Sequence, residues 1–231
     1  LKDAAQKIAG GNLKVKVKQR GADEVGQLGQ SFNQMVDSLA KSKQDLVDAY
    51  DETIEGWAHA MDLRDHETEG HSRRVSDLAT ALASSMGIQG ADLEQLRRGA
   101  LLHDVGKIAI PDSILNKPGK LTPDEITQMQ MHPVYAKDFM GTIEYLKPAM
   151  DIPRSHHEKW DGSGYPQKLK GEHIPLSARI FAVVDVWDAL TSDRPYRKAM
   201  AFNEAMKYIE SESGKHFDPI VVKAFKKMMG R

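Results

Sequence analysis

The chain has 231 residues, 40% of them hydrophobic, enough for one ordinary domain and a smaller module. Its formal net charge of -1 gives no general attraction to nucleic acid or anionic lipid, so phosphate recognition has to come from local charge. It has no cysteine, which excludes disulfides and thiolate metal sites, and its 6% aromatic content favours helix over strand. No apolar run approaches the roughly 18 residues of a membrane span, and no signal peptide is visible. The chain opens at Leu1 within a helical pattern and reads as a fragment of a longer protein.

In chain order, a short helical stretch stops at Gly10-Gly11-Asn12. Leu13, Val15 and Val17 then alternate with lysines, as an extended connector would. From Asp23-Glu24 a new pattern begins. Val25, Leu28, Phe32, Met35 and Leu39 are spaced 3, 4, 3 and 4, and Leu46 and Ala49 continue the phase. That is a heptad seam, and it predicts a partner helix. The helix continues to about Arg64. Further helices are expected over 67–86, from an Asp92 N-cap to His103, from Thr122-Pro123-Asp124-Glu125, from His132-Pro133, over 177–190, over 202–213, and from Asp218-Pro219. Pro148 and Pro153 punctuate the segment between. Ile180 to Val184 has the composition of a buried strand, but the helical phase runs on through Val186 and Leu190, which predicts helix.

Imidazole nitrogen and carboxylate oxygen together suit divalent ions of intermediate hardness. Glu67 and His71 are four residues apart, so on one helix they would share a face. His103-Asp104 and His156-His157 are adjacent pairs. A regular helix would splay each pair, but a helix end, suggested by Gly106 after the first, lets both members converge, even on different ions. His132 stands at a helix start. Asp185 ends an apolar run where an unpaired carboxylate would be costly. The pattern points to a hydrolase with several metal ions. His59, His66, His173 and His216 are read as ordinary core histidines.

Two resemblances follow. Asp23-Glu24-Val25-Gly26-Gln27-Leu28 and Phe32-Asn33-Gln34-Met35 make residues 1–42 resemble a HAMP signal-relay module with its first helix cut short. From about Tyr50 onward the chain resembles an HD-GYP domain, a branch of the HD metal-dependent phosphohydrolases. The motifs that carry this are Arg64-Asp65, Gly70-His71-Ser72-Arg73-Arg74-Val75, His103-Asp104-Val105-Gly106-Lys107-Ile108, His156-His157-Glu158 with Asp161-Gly162-Ser163-Gly164-Tyr165-Pro166, and the run from Asp185 to Arg197. The division expected is a module over 1–42, a connecting helix over 43–64 and the HD-GYP domain over 65–231.

The resemblance implies an all-α fold that hydrolyses cyclic di-GMP. It implies metal ligands at Glu67, His71, His103, Asp104, His132, His156, His157 and Asp185, holding two or three divalent ions, iron or manganese. Asp104, with two oxygens, would bridge two ions, whereas a histidine binds only one. Paired ions would acidify a water, neutralise the phosphate and stabilise the leaving oxygen. Asp104 and Lys107 are the expected catalytic pair. Lys107, Tyr165, Asp188, Arg194 and Arg197 are the expected substrate contacts, with Asp188 facing either substrate or a ligand histidine, and Arg forks suiting phosphate. Gly162 and Gly164 would allow unusual backbone angles, and Pro166 would stiffen the exit, so that Tyr165 projects as a platform for guanine or ribose. The HAMP-like seam implies a homodimer and control by an upstream sensor. The fragment then reads as the cytoplasmic portion of an inner-membrane bacterial signalling protein with no nucleic-acid partner. A weak cyclic di-GMP receptor and a phosphodiesterase for a mixed cyclic dinucleotide are the alternatives.

Overall fold

The structure, a computed structural model, describes residues 1–18, 23–68, 70–193 and 198–230. Among these, all regular elements are helical: α1 (Lys2–Ala9), α2 (Glu24–Arg64), α3 (His71–Ser85), α4 (Gly90–Leu101), α5 (Asp112–Leu115), α6 (Pro123–Met129), α7 (His132–Gly141), α8 (Asp151–Ser155), α9 (Leu176–Thr191), α10 (Phe202–Ser211) and α11 (Pro219–Met229). Short 3-10 turns occupy Val105–Ala109, Glu144–Ala149 and Gly171–His173. Two compact units form, Leu1–Thr53 and the remainder from Ile54.

In the first unit, Asp23 caps α2 by accepting from the Gly26 N–H at 2.9 Å. The connector is held by one side chain: the Asn33 amide accepts from Val17 N at 2.9 Å and donates to Val17 O at 3.0 Å. Val36 is fully buried. Val25, Leu28, Met35, Leu39 and Leu46 are about half exposed or more, so the predicted seam forms an apolar stripe that its own unit leaves uncovered.

The second unit has two apolar clusters. The larger gathers Val75 and Leu82 of α3, Phe181 and Val184 of α9, Ile209 of α10 and Phe225 of α11. The smaller joins Ile54 and Ala58 of α2 to Leu102, Val105, Ala136 and Met140. Residues Ile180 to Val184 are helical, and all five are buried. Burial around the whole circumference is why their composition mimics a strand. The predicted starts at Thr122 and Asp218 are real caps. Thr122 and Glu125 form a reciprocal capping box, and Asp218 accepts from Ile220 N at 2.7 Å. One expected element is shorter. The helix predicted over 67–86 begins at His71, because Gly70 adopts φ +69 and breaks the helical path. Glu67 therefore lies in the connection and does not share a helical face with His71. Asp92 sits in the first turn of α4, whose N-cap is Gln89.

Candidate metal centre

The candidate ligands come from helix ends, with one exception. His71 opens α3, His132 opens α7, His103 follows α4, Asp104 precedes the Val105–Ala109 turn and His156 caps the C-terminus of α8. Asp185 comes from the body of α9. Helix ends let neighbouring residues point inward together, which a regular helix forbids to adjacent positions. Gly106 makes one convergence possible. A Cβ there would lie 1.9 Å from the His132 carbonyl, so only glycine lets the turn after Asp104 press against the start of α7.

Two clusters result, Asp104 with His132, His156 and His157, and His103 with His71 and Asp185. Within each, the candidate ligand atoms lie within 4.8 Å of one another. Asp104 faces both: Oδ1 is 3.3 Å from His132 Nε2 and 3.7 Å from His156 Nε2, while Oδ2 is 3.0 Å from His103 Nε2. His71 Nε2 lies 3.6 Å from Asp185 Oδ1. The adjacent His156 and His157 rings share one cluster, with centroids 4.0 Å apart.

Four of the rings are held by their far nitrogen. The Nδ1 atoms of His103, His132 and His156 bond the carbonyls of Ala100, Met129 and Ile152 at 2.9, 2.8 and 3.0 Å. His71 Nδ1 bonds Asp188 Oδ2 at 2.8 Å. With each Nδ1 engaged as donor, Nε2 is left as the lone-pair nitrogen aimed at the centre, the arrangement by which outer partners orient metal-binding imidazoles. Nε2 of His132 and of His156 stand 3.4 Å apart. Asp104 Oδ1 is buried and has no hydrogen-bond partner among the described residues. Converging lone pairs beside an orphaned carboxylate oxygen are unfavourable unless a cation sits among them, and a nitrogen and oxygen donor set fits a divalent ion.

The electrostatics of His132, His157 and Asp104 agrees with that reading. Burial pushes His132 down to about 4, and burial with the neighbouring His156 pushes His157 well below its ordinary value, so both stay neutral. Burial opposes ionisation of Asp104, yet Lys107 and His103 hold its pKa well below the usual carboxylate range. His103 is the exception: burial disfavours its protonation, but Asp104 and Asp185 raise its pKa to about 9, so without a cation its Nε2 holds a proton toward Asp104 that a bound metal would displace.

The remaining expected site residues fall in three places. Lys107 Nζ lies 2.7 Å from Asp104 Oδ2 and 2.9 Å from Asp65 Oδ2. Burial would lower its pKa, but the two carboxylates raise it, so it is a cation and not a base. Tyr165 stacks on His157 with centroids 4.7 Å apart and also approaches His132. Asp188 is nearly buried and directs its oxygens to His71 Nδ1 and to Arg74, whose Nε is 2.9 Å away. Of the two contacts expected for it, the structure shows the one with the candidate ligand His71. Glu67 belongs to neither cluster. Arg194 and Arg197 lie outside the described residues. His59, His66, His173 and His216 also stay outside both clusters, but the first three are exposed and not core residues.

Several positioning residues carried no role in the sequence reading. Asp65 holds Lys107. Arg64, at the end of α2, donates to the carbonyls of Lys107 at 2.6 Å and Ile110 at 2.7 Å. Asp62 accepts from the Ser72 hydroxyl at 2.5 Å, beside His71. Glu158, 2% exposed, accepts from the backbone N–H groups of Gln167 and Leu169 at 2.7 and 2.9 Å and so ties down the loop that carries Tyr165. Gly162 has φ +86, as expected, but Gly164 is needed for room: a Cβ there would lie 2.4 Å from Lys159 N. Arg64, Asp65, Arg74 and Glu158 sit within the motifs quoted above, and that adjacency was the only signal of them.

The fold and these clusters define an all-helical domain built around a His/Asp centre suited to paired cations. The chain belongs to the HD domain family, which matches residues 35–221, and the HAMP domain matches residues 1–41. The chain is 41% identical to a cyclic di-GMP phosphodiesterase of Vibrio cholerae, over 95% of this chain and 48% of that protein. It is 40% identical to a cyclic di-GMP phosphodiesterase of Thermotoga maritima, over 82% and 53%. It is 38% identical to the 3'3'-cGAMP-specific phosphodiesterase 2 of Vibrio cholerae, over 86% and 37%. The chain thus spans about half the length or less of these curated relatives. Among solved structures, a cyclic GMP-AMP specific phosphodiesterase of Vibrio cholerae superposes with a TM-score of 0.61 at 21% identity, covering 78% of this chain and 48% of that one. An HDG"Y"P protein of Bdellovibrio bacteriovorus gives 0.56 at 24% identity, covering 70% and 52%. At these identities the superpositions establish the fold.

Proposed function

We propose that this chain is a metal-dependent phosphodiesterase that opens cyclic di-GMP to the linear dinucleotide pGpG, to GMP, or to both. The observation that carries this is the Asp104 carboxylate, with one oxygen facing each cluster. The clusters of Asp104, His132, His156 and His157 and of His71, His103 and Asp185 are the two cation positions, with Asp104 between them. Iron or manganese suits these donors. Bound ions would supply Lewis-acid charge at the phosphate and an activated water. Around them, Lys107 contributes a permanent positive charge, Asp65 and Arg64 hold it and its turn in place, and Asp188 keeps the His71 ring aimed inward. The ring of Tyr165, against His157, forms an aromatic wall for a base or ribose. Arg194 and Arg197 remain the proposed phosphate clamps on sequence grounds.

The cGAMP-specific relative at 38% identity favours a second reading, cleavage of a mixed cyclic dinucleotide at the same site. Control from upstream is proposed through α2: it is one helix from Glu24 to Arg64, and its last turn contacts the turn carrying Lys107. The exposed stripe of Val25, Leu28, Met35 and Leu39 supports a homodimer through this helix. No helix among the described residues is long and apolar enough to cross a membrane, so membrane attachment would have to lie elsewhere in the parent protein.

The test combines metal analysis of the purified protein with chromatography of products from cyclic di-GMP and 3'3'-cGAMP. Bound iron or manganese with pGpG or GMP formed from cyclic di-GMP supports the proposal. Faster cleavage of cGAMP moves it to the second reading. A metal-loaded protein that leaves both intact overturns it.

A further inference from the structure

α3 carries His71 at its first position, and its N-cap, Gly70, has no side chain to accept from the free N–H groups there. The acceptor comes from another helix. Asp62, in the last turn of α2, receives the Ser72 hydroxyl on Oδ1 at 2.5 Å and the Ser72 N–H on Oδ2 at 3.3 Å. Both residues are buried, and a carboxylate suits the positive end of a helix. The residue clasped in this way follows His71 directly in the chain.

Apolar packing does not make this link. α2 gives Ile54 and Ala58 to the smaller cluster, whereas α3 packs in the larger one, which holds no α2 residue among the described residues. A cavity of about 290 Å³ opens beside the clasp, with Ala58, Asp62, Gly70 and Ser72 in its lining, so the two helices are not wedged together there. Within the same turn, α2 grips the other side of the centre. Arg64 donates to the Lys107 carbonyl, and Asp65 holds Lys107 Nζ, which touches Asp104. We propose that Asp62 is a positioning residue for His71. It supplies from α2 the cap that α3 lacks, and with Arg64 and Asp65 it makes the last turn of α2 a splint that fixes the His71 cluster relative to Asp104. The consequence for metal binding rests on the reading of the two clusters as cation positions. A shift of α2 would move one position against the other, which gives the upstream control proposed above a named contact.

The first measurement is NMR of the metal-free full chain, in which the His71 Nδ1–H bonded to Asp188 should give a slowly exchanging imidazole proton. Asp62→Ala should abolish that signal. Ser72→Ala, the milder change, should weaken it, and carries the test if Asp62→Ala disturbs folding. The reversed pair, Asp62→Ser with Ser72→Asp, places the same two groups across the same gap and should restore the signal. Glu55→Ala, which removes the ion pair between α2 and Arg97, should leave it in place. The second measurement is titration with manganese against a chelator, followed by electron paramagnetic resonance. Asp62→Ala should weaken one of two ions about tenfold, the lower end for a partner behind a ligand, and turn the signal of coupled ions into that of single ions. An imidazole signal that persists in the folded Asp62 and Ser72 variants, is lost equally in Glu55→Ala, or fails to return in the reversed pair overturns the proposal. A parent protein that binds no pair of manganese ions, while the imidazole result is as expected, refutes the cation reading and leaves the positioning role standing.

Discussion

Asp104 and Asp188 are placed differently in the candidate centre, one between the two clusters and one behind the His71 ring. Asp104 offers one oxygen to each cluster and leaves Oδ1 without a hydrogen-bond partner among the described residues. Asp188 touches neither position and holds His71 by its far nitrogen. Removing a partner of this second kind typically costs 10–100-fold in metal affinity. Asp188→Asn should therefore weaken metal binding by about that factor, measured by competition with a chelator, with the helical circular dichroism unchanged. The same residue sets an acid limit on stability. Burial would raise its pKa, but the hydrogen bonds from His71 and Arg74 together outweigh this and lower it from 3.8 to about 2. A carboxylate depressed on folding stabilises the native state above its unfolded pKa, and that contribution is lost as pH falls through the folded value. The contribution, on the order of 2 kcal/mol, is present above about pH 4 and fades toward pH 2. Chemical unfolding of the apoprotein across that window should show a steeper loss than in Asp188→Asn, and equal slopes would refute the assignment.

At the scale of elements, two glycines and one glutamate decide where the site residues stand. Gly106→Ala places a methyl 1.9 Å from the His132 carbonyl, with the backbone of Ala136 only slightly farther. Neither neighbour is a flexible side chain, so the turn and α7 must separate, at a cost of roughly 1–3 kcal/mol or more. The expected result is a lower melting temperature together with loss of bound metal, because Asp104 and His132 part. Glu158→Ala removes two charge-assisted bonds to the 167–169 backbone, each worth roughly 1.5–3 kcal/mol. The loop loses its anchor, so amide exchange at Gln167 and Leu169 should accelerate while α3 and α9 stay protected. Gly164 allows a close approach that no Cβ permits, which puts Tyr165 on the His157 ring and makes the loop a continuation of the candidate metal centre.

At the scale of the whole molecule, the exposed stripe on α2 and the grip of its last turn are the features on which the proposed dimer and upstream control are tested. Leu28→Glu together with Leu39→Glu places charge on the stripe without entering either apolar core of the second unit. The expected outcome is conversion of a dimer to a monomer in sedimentation equilibrium, and a monomeric parent would remove the basis for the change. Inserting one, two or three residues near Ser42 turns the following helix by about 100° each. Activity should vary periodically through the series, and a constant rate would argue against control through α2.

Much of this was legible along the chain. Caps at Thr122 and Asp218, the α2 seam and the helical phase of Ile180 to Leu190 are local properties, written in spacing and side-chain chemistry over a few residues. The His and Asp ligand candidates were legible as well, because such doublets beside glycines are unusual in ordinary surface or core sequence. The expected helix was extended back to Glu67 because that reading ignored the left-handed backbone at Gly70. Gly106 was read as the sign of a helix end and Gly164 as a source of backbone freedom, when the structure uses both for room against chain segments that the sequence does not reveal as neighbours.

The sequence by itself determined an all-helical chain, its punctuation and a stock of nitrogen and oxygen donors without sulfur. Only the tertiary structure decided which donors meet, that Asp104 faces both clusters, and that Asp188, Asp65 and Glu158 serve as supports. The physical reason is range. Helix phase and caps are settled by interactions within about a turn. The centre depends on contacts between residues as distant as His71 and Asp188 or Lys107 and Asp65, which exist only after the apolar faces of α3, α4, α7 and α9 have packed.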